Sequence, residues 1–276
     1  MKNGLYIIAT PIGNLNDISL RAQKTLGEVD IIICENPKHS LKILSKLGIK
    51  KKLYSIHDYN EEKIIKKIEQ YAENSSIALI SDAGSPVISD PGFKLVRFYN
   101  TKGLNITTVP GPCSIISALQ LSSMPINEFQ FLGFAPKTAK HLGDFINKVS
   151  FSDKTSVFFI SSHRVVLFLN IANKIMPEKE ICICKEITKL NEKRITGSPK
   201  EILNKINKNT INLRGEFVFV IGGDINYNQK KTFGDLDKQI IKLLSKFSLT
   251  DVVEIVHKIN GVSKKEIYNM ALKLKK

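Results

Sequence analysis

Three short loops carry the residue types that build a small-molecule cleft: Thr10-Pro11-Ile12-Gly13-Asn14, Ser81-Asp82-Ala83-Gly84-Ser85-Pro86 and Pro110-Gly111-Pro112-Cys113-Ser114. Each joins Gly to Pro, which fixes a tight backbone path and turns N–H and C=O groups outward toward a ligand. One such loop is an ordinary turn. Three of them after strands of one parallel sheet point to a cleft, because ligands of such sheets bind beyond the carboxyl ends of the strands. A phosphate cradle is disfavoured: there is no G-x-x-x-x-G-K-[ST], and the first loop has one Gly where a dinucleotide fold needs G-x-G-x-x-G. The sequence also lacks H-E-x-x-H, G-x-S-x-G and any paired metal-ligand cluster, so no metal site is expected. Cys34, Cys113, Cys182 and Cys184 form no C-x-x-C pair, which argues against a zinc site or a disulfide framework. His163 beside Arg164 could touch phosphate, although a lone histidine at a strand end more often serves a local hydrogen bond.

The elements that must position these loops follow a βαβ rhythm. Apolar runs at 5–10, 30–34, 52–56, 77–81 and 105–109 alternate with amphipathic segments at 19–27, 40–47 and 61–72, a segment after Asp90-Pro91, and 114–121. Single helices between strands bring the chain back to the same end of a sheet, so residues 1–125 are expected to form a parallel α/β domain. Ser19 is a plausible helix N-cap, and Asp90 before Pro91 is read first as a cap and second as a site carboxylate. After Met124-Pro125 the pattern restarts. Strands are expected at 129–134, 155–161, 180–186 and 216–221, with helices at 143–149 and 165–175 and a further helix opened by Ser198-Pro199. Residues 126–224 thus form a second α/β domain with mixed strands. A polar linker is expected over 225–234, followed by a three-helix unit over 235–276.

The chain has 276 residues, 42% of them hydrophobic, and 41 Lys plus Arg against 26 Asp plus Glu, a formal charge of +15. That apolar content excludes wholesale disorder, and no run reaches the roughly 18 apolar residues of a membrane span. The N-terminal apolar run is too short for a signal-peptide core, which gives the expectation of a cytoplasmic protein. Excess positive charge makes a polyanion the first partner to consider. Its distribution sharpens the point: residues 230–276 hold 11 Lys against 5 Asp plus Glu, a net +6 of the total +15. Short helices with a Gly turn and a basic last helix suggest a helix-turn-helix-like nucleic-acid module, against the alternative of a helical cap packed on the body.

The motifs also carry a resemblance. Ala-Thr-Pro-Ile-Gly-Asn-Leu at 9–15, Ser-Asp-Ala-Gly-Ser-Pro at 81–86 with Asp-Pro-Gly at 90–92, Pro-Gly-Pro-Cys-Ser at 110–114, Gly-Phe-Ala-Pro-Lys at 133–137, Lys-Glu-Ile-Thr-Lys at 185–189 and Gly-Glu-Phe at 215–217 resemble the tetrapyrrole methylase superfamily. The resemblance is closer to its ribosomal branch, which methylates a ribose 2'-hydroxyl on a cytidine of 16S rRNA, and it extends into the C-terminal helices. It implies two α/β domains with S-adenosylmethionine (SAM) in the cleft between them, and a homodimer. By motif it implies donor contacts at Pro11, Gly84, Ser85, Val87, Ser114 and Ile115, with adenine-side contacts at Ile160 and Ser161. Two stretches depart from the branch: Glu35-Asn36-Pro37-Lys38-His39 stands where it has Glu-Asp-Thr-Arg-His, and Phe158-Phe159-Ile160-Ser161-Ser162-His163-Arg164 where it has Phe-Tyr-Glu-Ser-Pro-His-Arg.

Methyl transfer from a sulfonium is an in-line displacement that needs mainly alignment, whereas a ribose hydroxyl needs a proton acceptor or an alkoxide stabiliser. Candidates for the first role are Asp82, Asp90 and Glu186, and for the second Lys38, Lys185 and Lys189. RNA phosphate contacts are expected at Lys137, His163, Arg164, Lys189, Lys264 and Lys265. The small ribosomal subunit is the expected partner. A small-molecule methylase of the same superfamily and a non-catalytic RNA-binding assembly factor are the competing readings.

Overall fold

A computed structural model describes residues 1–223, 240–260 and 263–274. The first sheet is built from β1 (Gly4–Ile8), β2 (Ile31–Cys34), β3 (Lys52–Ser55), β4 (Ser76–Ile80) and β5 (Ile106–Val109). They lie in the order β3-β2-β4-β1-β5, and every pair is parallel. Connecting them are α1 (Leu20–Glu28), α2 (Pro37–Lys46), α3 (Glu61–Ala72) and α4 (Phe93–Thr101). The central strands β2 and β4 are buried along their whole length. Their Ile-rich runs therefore show no alternation, as befits strands covered by helices on both faces. Because all five strands run parallel, the loops after β1, β2, β4 and β5 all open at the carboxyl edge of the sheet.

The second sheet has the order β6-β7-β10-β8-β9, with β6 (Phe129–Phe134), β7 (Thr155–Ser161), β8 (Ile181–Lys185), β9 (Lys193–Gly197) and β10 (Glu216–Ile221). Only β6 and β7 run parallel; β7/β10, β10/β8 and β8/β9 are antiparallel. One face is covered by α6 (Ala139–Ser150), α7 (Val165–Ile175) and α8 (Pro199–Asn207), over a core in which Phe158, Phe168 and Phe219 meet with ring centroids 5.1–5.8 Å apart. The other face is covered by α5 (Ser114–Ser122). By sequence order this helix ends the first domain, yet Ile115, Ala118 and Leu119 pack with Val157, Cys182, Cys184, Val218 and Val220 of the second sheet, and Ile12 of the first loop joins them. Cys182 and Cys184 lie on one strand face with sulfurs 3.9 Å apart, and both are free thiols.

Local capping explains most helix starts. Ser19 Oγ accepts the Ala22 N–H, and Ser198 with Glu201 makes a reciprocal capping box behind Pro199. The helix after Asp90-Pro91 departs from its sequence expectation. Its N-cap position is Gly92, and the N–H groups of Gly92 and Lys94 donate to the two carboxylate oxygens of Glu61 on α3 at 3.0 and 2.9 Å. Glu61 is only 5% exposed, so this charge is committed to the neighbouring helix. Asp90 is therefore not a cap, and its carboxyl is available elsewhere.

Of the C-terminal unit, residues 240–244 are helical, followed by α9 (Leu249–Asn260) and α10 (Lys264–Leu274). Ile240, Val252, Val253, Val256, Ile267 and Ala271 form a small core of their own. Ser248 and Ser263 cap the two helices by accepting from Asp251 and Glu266 N–H groups, each at 3.3 Å. The linker expected at 225–234 and the start of the first expected helix lie outside the described residues.

Candidate active site

The loops after β1 and β4 are fastened to each other. Thr10 N–H donates to Gly84 C=O at 2.9 Å, Gly84 N–H donates to Thr10 C=O at 3.1 Å, and the Thr10 hydroxyl donates to Ser81 C=O at 3.1 Å. Gly84 holds φ at 82°, a left-handed conformation in which a side chain would be strained and would press on Ile12. Beyond this knot opens a cleft of about 570 Å³ between the two sheets, within the range that takes a cofactor-sized molecule. Its first wall is Ile12, Glu35, residues 82–85 and 88–90, and Cys113 to Ile115 at the start of α5. Its second wall is Phe134, residues 159–162, Glu186, Ile187 and residues 215–218.

Charge is unevenly spread over these walls. Glu35, Asp82 and Asp90 line the first, at the carboxyl ends of β2 and β4 and in the loop before α4. Burial, and then the Asp82 carboxylate, push the Glu35 carboxyl up. Asp90 is pushed up to about 6: burial dominates, the Glu35 and Asp82 carboxylates add to it, and the Ser81 hydroxyl offsets part. This corner thus favours either a shared proton or a cationic ligand. On the second wall Glu186 is differently employed. Its carboxylate accepts Glu216 N–H at 2.9 Å and the Lys189 ammonium at 3.1 Å, and Lys189 also pairs with Glu216 at 3.0 Å. Burial alone would raise the Glu186 carboxyl; the Glu216 N–H and Lys189 outweigh it and hold it below its usual range.

The sequence-derived residues divide accordingly. Gly84, Ser85, Ser114, Ile115, Ile160, Ser161, Asp82 and Glu186 all line the cleft. Pro11 is buried and outside the lining, where its neighbour Ile12 takes the place, and Val87 packs with the first-domain core beside Gly92. Lys38 is exposed on α2 and outside the lining. Lys137 and His163 are exposed near the carboxyl ends of β6 and β7. The Arg164 guanidinium is spent on structure, donating to Ala135 and Pro136 C=O at 2.9 and 3.0 Å and to Ser161 Oγ. Lys189 is ion-paired as described, Lys264 pairs with Glu254 at 3.0 Å, and Lys265 is exposed. Phe134, Phe159 and Glu35 also line the cleft, beyond the residues that the motifs single out. Glu35 could have been found from its place directly after the buried run of β2.

The first departing motif keeps its local structural work. Asn36 Oδ1 accepts the Lys38 N–H as the N-cap of α2, Pro37 takes the first helical turn, and the Asn36 N–H donates to Asp82 at 3.2 Å. Asn is as good an N-cap as Asp. The second departure, Ile160, is buried in the second-domain core as well as lining the cleft.

A parallel five-stranded domain and a mixed five-stranded domain, closed over a donor-sized cleft, define a methylase of the tetrapyrrole type. The sequence model of the Tetrapyrrole (Corrin/Porphyrin) Methylases matches residues 4–203, and the chain belongs to that family. Within the family its full-length relatives are more particular. A Rickettsia prowazekii (strain Madrid E) protein named ribosomal RNA small subunit methyltransferase I is 41% identical over all of this chain and 98% of its own length. Its Haemophilus influenzae namesake is 36% identical over 97% of this chain and 96% of its own. Among solved structures, Thermus thermophilus uroporphyrin-III-C-methyltransferase superposes with a TM-score of 0.55 over 80% of this chain and 94% of its own. A cobalt precorrin-4 methyltransferase gives 0.58 over 79% and 94%. At 16% identity each, these two speak for the fold alone.

Methylases of this family use SAM as methyl donor. The cleft fits it: the acidic corner complements a cation, the apolar walls suit a nucleoside, and the tightly turned Gly84 loop gives close backbone access.

Proposed function

We propose that this chain is a SAM-dependent methyltransferase that 2'-O-methylates the ribose of a cytidine in the 16S rRNA of the small ribosomal subunit, acting in the cytoplasm and as a homodimer. The observation that carries the reading is the extent of the similarity. The Rickettsia relative named for the ribosomal substrate matches the whole chain, basic C-terminal unit included, whereas the tetrapyrrole methylases leave about a fifth of it without a counterpart.

In this reading Gly84, Ser85, Ser114 and Ile115 would hold the donor from one wall and Ile160 and Ser161 from the other. When bound, the donor supplies a methyl group already activated by a positively charged sulfur. The chain's residues then have two tasks. The first is to exclude water and fix the acceptor, which falls to the apolar walls around Ile12, Phe159 and Phe217. The second is to take the hydroxyl proton. Asp82 and Asp90 are the groups for it, because they line the cleft and Asp90 is already poised near neutrality. Glu186 is ion-paired and positions the β8–β9 turn, and Lys38 lies outside the cleft.

The test is transfer from labelled SAM to small ribosomal subunits lacking the modification, with nuclease digestion to identify the product. Labelled 2'-O-methylcytidine is expected. Labelling of a tetrapyrrole but no RNA would overturn the reading in favour of a small-molecule methylase. Subunit binding without SAM binding would overturn it in favour of an assembly factor.

A further inference from the structure

We infer that Phe134 is a stacking platform for the base of the target nucleotide, so that the cleft receives an unstacked RNA base alongside the methyl donor. The inference rests on the RNA reading above and gives it a specific residue. Its starting point is a register break. Strands β6 and β7 pair Phe129 with Thr155, Gln130 with Ser156 and Phe131 with Val157, and then resume at Phe134 with Phe159. The β6 strand therefore spends one residue more than its partner, which is a bulge. Gly133 lies inside it with φ at 66°, and nothing stands within 4 Å of where its Cβ would be, so conformation and not space calls for glycine there.

The bulge changes which way Phe134 faces. In an unbroken strand residues three apart point to opposite faces, yet here Phe131 and Phe134 both reach Phe159, at ring-centroid distances of 5.3 and 5.0 Å. Phe131 is partly buried, whereas Phe134 is 64% exposed while lining the cleft. The segment that follows is held firmly. Ala135 N–H donates to Phe159 C=O at 2.9 Å, and the Arg164 guanidinium donates to the Ala135 and Pro136 carbonyls. A large aromatic ring has thus been turned out of the core, on a backbone pinned just after it, and faces the cleft.

A flat π-face, resting against Phe159 and open to solvent beside a methyl-donor cleft, suits a nucleobase. A ribose hydroxyl inside folded RNA reaches such a cleft only if its nucleotide leaves the stack, and the exposed base then needs a new stacking partner. Aromatic side chains provide this with little dependence on base identity. The adenine of the donor is the other flat group that could occupy the ring, and the two are separable by experiment.

Phe134→Ala, Phe134→Leu and Phe134→Trp should be compared with the parent protein for SAM affinity by calorimetry and for kcat and KM on unmodified small subunits. The Ala and Leu variants are expected to raise KM for the subunit on the order of tenfold with unchanged SAM affinity. The Trp variant is expected to restore it. Leu matters because it keeps apolar area but has no π-face. Parent-like kinetics in the Leu variant would overturn the platform, as would a loss of SAM affinity that tracks the rise in KM. If the parent protein itself methylates no subunit RNA, the RNA reading fails and the platform with it; a methylating parent with an indifferent Phe134→Ala variant removes the platform alone.

Discussion

Asp90 shows how position in the fold decides what a residue does. Placed before Pro91, it carries the local signature of a helix cap, but the cap is made by Glu61 from another helix, and the Asp90 carboxyl is left in a half-buried acidic corner with Glu35 and Asp82. The consequence for stability has a definite sign. The folded value of about 6 lies above the ordinary 3.8, so the native state binds the extra proton, and stability is lost as pH rises from about 4 through about 6. Asp90→Asn should therefore raise Tm above about pH 7 and gain little near pH 4, where the folded-state carboxyl is already protonated. The same variant should lower kcat on the order of a hundredfold if Asp90 takes the hydroxyl proton. A melting temperature that falls at neutral pH would contradict the electrostatic account.

Among the elements, those defined by local pattern were legible in the sequence. Strands at 129–134, 155–161 and 216–221 and helices at 61–72 and 165–175 fall where periodicity and flanking turns put them. Sheet order was not legible, nor was the packing of α5 on the second sheet, since both depend on long-range contacts. The site was half legible for the same reason: loops at strand ends can be located by rule, whereas Phe134 is aimed by a bulge that pairing alone reveals. Two elements make sharp predictions. Glu61→Ala should uncap α4 and cost about 1–3 kcal/mol in chemical denaturation, with Glu61→Gln costing less because an amide oxygen still accepts. Gly13→Ala would place a Cβ 2.4 Å from Lys189 Cγ and 3.1 Å from the Ile187 carbonyl, forcing the first loop away from the β8–β9 turn. Weaker SAM binding and a stability loss of about 1–3 kcal/mol are expected. Pairing Gly13→Ala with Lys189→Ala in a double-mutant cycle should recover part of that loss, and strict additivity would show that the two residues do not press on each other.

At the scale of the whole molecule, the +15 charge is most concentrated where the chain extends beyond the methylase family match, in the C-terminal unit with exposed Lys265 on α10. If that unit holds RNA phosphate, affinity for the subunit should fall with salt, and replacing Lys264 and Lys265 by Ala should flatten the log–log slope by about 0.7–0.9 for each phosphate no longer neutralised. A slope unchanged by both substitutions would leave Lys264 to its Glu254 pair and Lys265 to solvent.

Helix α5 begins in the cleft at Ser114 and Ile115 and buries its body against the second sheet, while its preceding loop belongs to the first. Mechanically it is an axle keyed into both halves: turning one half against the other would shear a shared apolar core. The two halves should therefore behave as jaws of fixed gape, and adding SAM should leave the radius of gyration in small-angle scattering unchanged. Selectivity would then lie in what can be threaded into a standing slot, and the acceptor, not the chain around it, would do the moving.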